Sequence, residues 1–414
     1  MLAKIKELIY QYEKHSKDAI RLVASENLPD VKERIPYLMD LFARYSFDSG
    51  GAWKYWSYCL EDIERETEQL LRNILHCNYT SLKPISGLNG MLTTISALNE
   101  PGNTIMLLDP LHGGHAESSS IVQRLNMKYT YLPFDRDTWQ IDVKELAKRD
   151  DLNKINMVYL DLCMAIFPQP IRQLREVLPK KTIIVYDASH VLGLILGDQF
   201  QQPLEEGADV IIASTHKTFP GPHKAIFATN KRLLKWLFVQ ESIHYISHHH
   251  MADVSCLGLV LEKGAEYFTE YAANIVHNSS YLAQQLYQRD VKVQLAHLGF
   301  TASHQIWIDC GEKEELDLVI EQLNSLNLVV NGGRIPSMHG KWGMRIGVQE
   351  ITKQGITEKG LQGIAEIISS VIWKQENQKK LETKKHQILQ HEFTNRCDSA
   401  IFEQMVKAMN EEQR

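Results

Sequence analysis

Lys217 stands where the run VIIAS (210–214) gives way to Thr215, His216, Lys217 and Thr218 and then to a Phe-Pro-Gly-Pro turn. The run is apolar and β-branched, as a buried strand requires. An amine at the mouth of such a strand is partly desolvated, which lowers its pKa and makes it nucleophilic. Upstream, TIIVYD (182–187) ends in Asp187 and is followed by Ala188, Ser189 and His190. An acid on one strand and an amine on the next meet the needs of pyridoxal phosphate. The lysine forms a Schiff base, and the carboxylate keeps the pyridine nitrogen protonated so that the ring accepts electrons. Asp187 alone would also read as a helix cap, so its assignment draws on Lys217.

Other residues add to this chemistry. Ser86 and Gly87 follow a short run and precede the helical pattern NGMLTTISAL (89–98), which makes an anion site from helix amides and a hydroxyl, or an ordinary N-cap. Arg345, in GMRIG (343–347), sits inside an apolar strand, and its planar guanidinium suits a carboxylate bidentately. His112 and His115 of HGGH invite a metal reading, but no third ligand stands at useful spacing. His248, His249 and His250 are consecutive, so their side chains diverge; a phosphate contact, a substrate-facing imidazole or a solvated loop are the readings open.

The elements that position these residues follow from the pattern. The runs TIMLLD (104–109), YTYLP (129–133), MVYLDLC (157–163), TIIVYD, VIIAS and AIFAT (225–229) are nearly continuous in hydrophobicity, as in a mostly parallel sheet covered on both faces. IRQLREVLP (171–179) supplies a crossover helix, and 252–290 reads as one long helix leaving this domain. HQIWIDC (304–310), a helix at 313–326, LVV (328–330), GMRIG and a helix at 357–374 form a smaller α+β unit. The expected division is a helical arm over 1–50, a large cofactor-binding domain over 51–270, a small domain over 271–375 and a helical tail over 376–414, with the apolar stripe IFEQMVKAM (401–409) packed on the body or a partner.

Composition bounds the partners. With 414 residues, 44% apolar and 23% charged, the chain has the balance of an ordinary globular protein with a sizeable core. A net charge of −6 and a pI near 6.3 argue against nucleic acid or an anionic membrane as main partner. The six cysteines are scattered without a CxxC, which points to free thiols and no metal site. The N-terminal MLAKIKELIYQYEKHSKD is amphipathic and too charged for a signal peptide, and no apolar run reaches membrane-span length, so a cytoplasmic location is expected.

Six blocks in order, RLVASEN (21–27), PISGLNG (84–90), LHGGHAESSS (111–120), DASHVLGL (187–194), STHKTFPGP (214–222) and GMRIG, make the chain resemble the serine hydroxymethyltransferase branch of the fold-type I pyridoxal phosphate enzymes over roughly residues 15–375. The resemblance implies an α/β fold with a mostly parallel central sheet, pyridoxal 5'-phosphate, and a homodimer with shared active sites. It makes Lys217 the Schiff-base lysine, Asp187 the partner of the ring nitrogen and His190 the residue near the phenolic oxygen. His115 becomes the ring stacked on the cofactor, Ser86 and Gly87 phosphate contacts, and Arg345 the holder of the substrate carboxylate, supported by Ser25 and its neighbour Glu26. Ser214 and Thr215 line the approach to the lysine. Leu88 stands where the family has a small polar residue, so part of the phosphate grip differs.

Other departures gather where the family binds folate. Tyr45 is kept and Tyr55 falls on a later family tyrosine, but the family glutamate falls on Phe47, with Asp48 beside it, and Trp56-Ser57 replace a glycine pair. Pro110 replaces a folate-packing leucine, Cys163 takes the place of a serine near the carboxylate, and His248–Met251 replace a glycine-rich phosphate loop in which His249 is the expected contact. These changes imply aldol or retro-aldol chemistry at Cα–Cβ of glycine or a β-hydroxy amino acid without folate, with His115 acting on the β-hydroxyl proton and His216 or the 248–250 cluster behind it. A folate-dependent hydroxymethyltransferase, another pyridoxal reaction (transamination, racemisation, decarboxylation or replacement) and a non-catalytic scaffold are the alternatives.

Overall fold

The structure, a computed structural model, describes residues 4–46 and 58–396. Its centre is a seven-stranded sheet of β1 (Tyr79–Ser81), β2 (Thr104–Leu107), β3 (Lys128–Tyr131), β4 (Ile155–Asp161), β5 (Ile183–Asp187), β6 (Val210–Ser214) and β7 (Ala225–Thr229). The spatial order is β1-β7-β6-β5-β4-β2-β3. Neighbours from β3 to β6 are parallel, and β7 is antiparallel to both β6 and β1. All six expected runs form strands. The edge strand β1 carries no periodic signal, because three residues are too few to show one.

The helices that frame it include α1 (Lys4–Lys17), α2 (Leu60–Leu75), α3 (Gly87–Leu98), α4 (Ala116–Arg124), α5 (Ile171–Val177), α6 (Leu192–Leu196), α7 (Arg232–Ser242), α8 (Met251–Leu261) and α9 (Gly264–Tyr287). The stretch expected as one long helix is two, α8 and α9, divided at Gly264 with φ +79, a left-handed backbone that no helix interior accommodates. On one face of the sheet, Met157, Tyr159, Val185 and Ile212 pack with residues of α3, α4 and α7. On the other, Val158, Leu160, Ile184, Tyr186 and Ile211 pack with residues of α5, α6 and α9. Side chains alternate along a strand. Asp161, Asp187 and Ser214, each two residues beyond a member of the first set, therefore share the α3/α4 face at the carboxyl ends of β4, β5 and β6, where open α/β sheets bind ligands.

A second, antiparallel sheet of β8 (Lys292–Val293), β9 (Gln305–Asp309), β10 (Asn331–Ile335) and β11 (Lys341–Gly347) has the order β8-β9-β11-β10. It is accompanied by α10 (Lys313–Ser325) and α11 (Glu358–Ile372). Leu328–Val329, which follows α10, pairs in parallel with Ile20–Arg21 and ties the N-terminal segment to the C-terminal half. Helix α12 (Gln378–His391) buries Leu381 and Ile388, the latter near Gly363 of α11. The stripe at 401–409 lies outside the described residues. Among the described residues no helix is long and apolar enough to cross a membrane.

Gly193 of α6 marks the closest approach of this scaffold to the Lys217 loop: an added Cβ would stand 2.4 Å from Thr218 O and 2.9 Å from Phe219 N. Gly193→Ala should destabilise the protein by roughly 1–3 kcal/mol, read as a lowered midpoint in denaturant unfolding. An unchanged midpoint would show that the two backbones can part without cost.

Candidate active site

The loop after β6 is closed by its own backbone. Thr215 N donates to Lys224 O (3.0 Å), Thr215 Oγ1 to Pro222 O (2.7 Å) and Gly221 N to Thr215 O (2.9 Å). From outside, Asn27 Nδ2 donates to Lys217 O at 2.7 Å, and Thr218 Oγ1 donates to His190 O at 2.9 Å. The Lys217 backbone is thereby fixed, while its Nζ has no hydrogen-bond or ion-pair partner among the described residues.

Asp187 is 4% exposed, and both of its oxygens are engaged: Tyr159 OH donates to Oδ2 (2.9 Å) and Ser189 N to Oδ1 (3.0 Å). Ser189 Oγ accepts from Ser214 N at 2.9 Å, which locks the ends of β5 and β6 together. The start of α3 lies against them, since a Cβ on Gly87 would stand 3.3 Å from Ser214 Cβ and 3.5 Å from Ser189 Oγ. Ser86 caps the helix, its Oγ accepting from Asn89 N at 3.1 Å. The amides of Gly87 and Leu88 have no acceptor among the described residues, and the Leu88 side chain is exposed. Pyridoxal phosphate fits this set: an unpartnered amine for its aldehyde, a buried carboxylate for its ring nitrogen, and open amides at the positive end of a 12-residue helix for its phosphate.

His190 is buried, and Gln305 Nε2 approaches its Nδ1 at 3.2 Å. The same amide donates to Cys163 O at 3.1 Å, which fixes Nε2 as the nitrogen, so His190 Nδ1 accepts and its proton sits on Nε2. Burial, with the Lys217 amine nearby, pushes the ring well below the usual histidine range and keeps it neutral. His304 stacks 5.7 Å behind it and donates from Nε2 to Ala24 O at 2.9 Å. Burial lowers its pKa to about 3.

Arg345 on β11 faces this assembly. Its Nη1 donates to Met164 Sδ at 3.4 Å, and the Asn331 amide, turned oxygen-inward, accepts from Nη2 at 3.2 Å. It has no carboxylate partner among the described residues. Cys163 is close enough for the guanidinium to act on its thiol, whose pKa burial raises. Ser25 lies on the segment pinned to β11: a Cβ on Gly347 would stand 2.5 Å from Ala24 Cα, and Gln349 Nε2 donates to Val23 O and Glu26 O, both at 2.7 Å.

The remaining histidines separate. His115 caps α4, with Nδ1 2.8 Å from Glu117 Oε2. His216 is turned against His223, ring centroids 3.9 Å apart, and burial lowers its pKa to about 3. His249 points inward, its Nε2 3.0 Å from Glu64 Oε2 and its carbonyl accepting from buried Lys224 Nζ at 2.7 Å. His248 instead packs on exposed Tyr45, centroids 4.6 Å apart. Tyr55, with Phe47, Asp48, Trp56 and Ser57, lies outside the described residues. Asn27 closes the RLVASEN block, which implies no role for it, and no motif marks His304, Gln305 or Asp161 as part of the site. The available signals were polar residues opening or interrupting apolar strands, His304-Gln305 before IWID and Asp161 within MVYLDLC.

The serine hydroxymethyltransferase family profile matches residues 2–368. A serine hydroxymethyltransferase of Methanopyrus kandleri is 33% identical over 386 residues, covering 90% of either chain, and that of Methanobrevibacter smithii is 32% identical, covering 90% of this chain and 91% of its own. The solved structure of L-threonine transaldolase from Pseudomonas fluorescens superposes with a TM-score of 0.87 at 26% identity, over 93% of this chain and 90% of that one. With its sheet, its unpartnered lysine and these relatives in agreement, the chain belongs to the serine hydroxymethyltransferase family and is a fold-type I, pyridoxal phosphate-dependent enzyme acting on an amino acid.

Proposed function

We propose that this enzyme makes or breaks the Cα–Cβ bond of glycine or a β-hydroxy amino acid without folate, as an aldolase or transaldolase. The observation that carries the reading is that Lys217 and Arg345, whose amine and guanidinium have no carboxylate partner among the described residues, both act on Cys163, which Gln305 joins to His190. When bound, pyridoxal phosphate supplies the electron sink that weakens a bond at Cα. Arg345 holds the α-carboxylate, with Ser25 in support. Asp187 holds the proton of the ring nitrogen, His190 offers its Nε2–H, and Ser86, Gly87 and Leu88 offer their N-terminal groups to the phosphate. Of the candidate bases, His115 suits the β-hydroxyl proton better than His216, whose ring is committed to His223 and weakly basic.

The transaldolase neighbour favours this reading, and so do Phe47 and Trp56-Ser57 at the folate-facing positions. The names of the most similar sequences favour a folate-dependent hydroxymethyltransferase instead. A homodimer is also proposed: Ile5, Leu8, Ile9 and Tyr12 of α1 and Leu38, Phe42 and Tyr45 leave an apolar surface for a second copy.

Lys217→Ala should abolish the visible absorbance of bound cofactor; retention of the band would remove the lysine from its role. Incubation with glycine, L-threonine and L-serine, each with and without tetrahydrofolate, separates the two reactions. Acetaldehyde release from threonine without folate is expected, and strict folate dependence would select the hydroxymethyltransferase. Arg345→Ala should raise the amino acid KM about tenfold or more through loss of charge-assisted hydrogen bonds, with a smaller effect on kcat; an unchanged KM would place the carboxylate elsewhere.

A further inference from the structure

Asp161, at the end of β4, is the register partner of Asp187 at the end of β5. Both are buried, 6% and 4% exposed, on the same face of the sheet. Asp161 Oδ2 accepts from Ser118 Oγ at 2.8 Å, and Ser118 stands in the first turn of α4, the helix that His115 caps. Asp161 Oδ1 has no partner among the described residues.

Neighbouring parallel strands lie about 5 Å apart, and a buried carboxyl group on each of two adjacent strand ends raises the cost of ionising the other. The donors differ between the two. Asp187 receives an O–H and an N–H, one on each oxygen, whereas Asp161 receives a single hydroxyl. Burial and the charge on Asp187 push Asp161 well above the usual carboxylate range. Of the other groups facing it, Glu117 on α4 acts in the same direction and Lys217 opposes it, while Tyr159 and Cys163 flank it along its own chain.

We propose that Asp161 and Asp187 act as one carboxyl pair beneath the cofactor ring, with Asp161 a positioning residue that assumes the negative charge when Asp187 cannot carry it. Ser118 ties this pair to the helix of His115. The proposal rests on the reading that Lys217 and Asp187 hold pyridoxal phosphate.

A double-mutant cycle on cofactor affinity tests it, with the dissociation constant and the visible spectrum measured for the wild type, Asp161→Asn, Asp187→Asn and the double variant. Each single variant should retain measurable cofactor binding, because the remaining acid ionises. The double variant should bind at least about tenfold more weakly than the product of the single effects. Effects that simply multiply, beside a normal wild-type band, would overturn the pair alone. A wild-type protein without the band would overturn the reading beneath it as well. If Asp161→Asn lacks a cooperative unfolding transition, Asp161→Ser takes its place in the same cycle.

Discussion

Between β4 and β5 the backbone pairs Asp161 with Asp187, and β6 continues the same face to Ser214. Everything else at the site is arranged around that register. A slip of one residue in β5 would turn Asp187 into the opposite core and bring Tyr186 into the pocket. The strands are apolar on both faces because helices cover the sheet on both sides. The cost of placing a carboxylate there is met locally by Tyr159 OH of β4 and by Ser189 N in the turn after β5.

The second constraint comes from the far half of the chain. Ser303 Oγ donates to Ala165 O at 2.6 Å, and Gln305 spans Cys163 O and His190. The sheet that carries Arg345 is therefore hydrogen-bonded to the strand ends that carry Asp161 and Asp187. The join between the two sheets is a polar chain with well-defined donors and acceptors, one whose His190 tautomer follows from the amide it faces. A guanidinium on a separate, loosely attached domain would lack this precision.

Much of this was legible in the sequence. Continuous β-branched runs identify the sheet, and the abrupt endings of TIIVYD and VIIAS single out Asp187 and Lys217, because only strand ends present chemistry at such an edge. Arg345 stands out as a charge within an apolar strand. Contacts between distant residues left no local pattern, so Asn27 on Lys217 O, His304 on Ala24 O and Gln305 on His190 could not be read. The expected long helix broke at Gly264, since periodicity does not register a single residue turning left-handed. The inward turn of His249 depends on Glu64 and Lys224, remote in sequence and carrying no motif.

The segment Ile20–Asn27 pairs with Leu328–Val329, supplies carbonyls to His304 and Gln349, and grips the carbonyl of Lys217. Contacts of such sequence separation are slow to form, because the loop entropy must be met before they repay it. During synthesis the central sheet can assemble while the first residues still await partners made last. The segment that grips the lysine loop gains its own partners only when Gln349 has emerged, so the outer support of that loop is among the last to be completed.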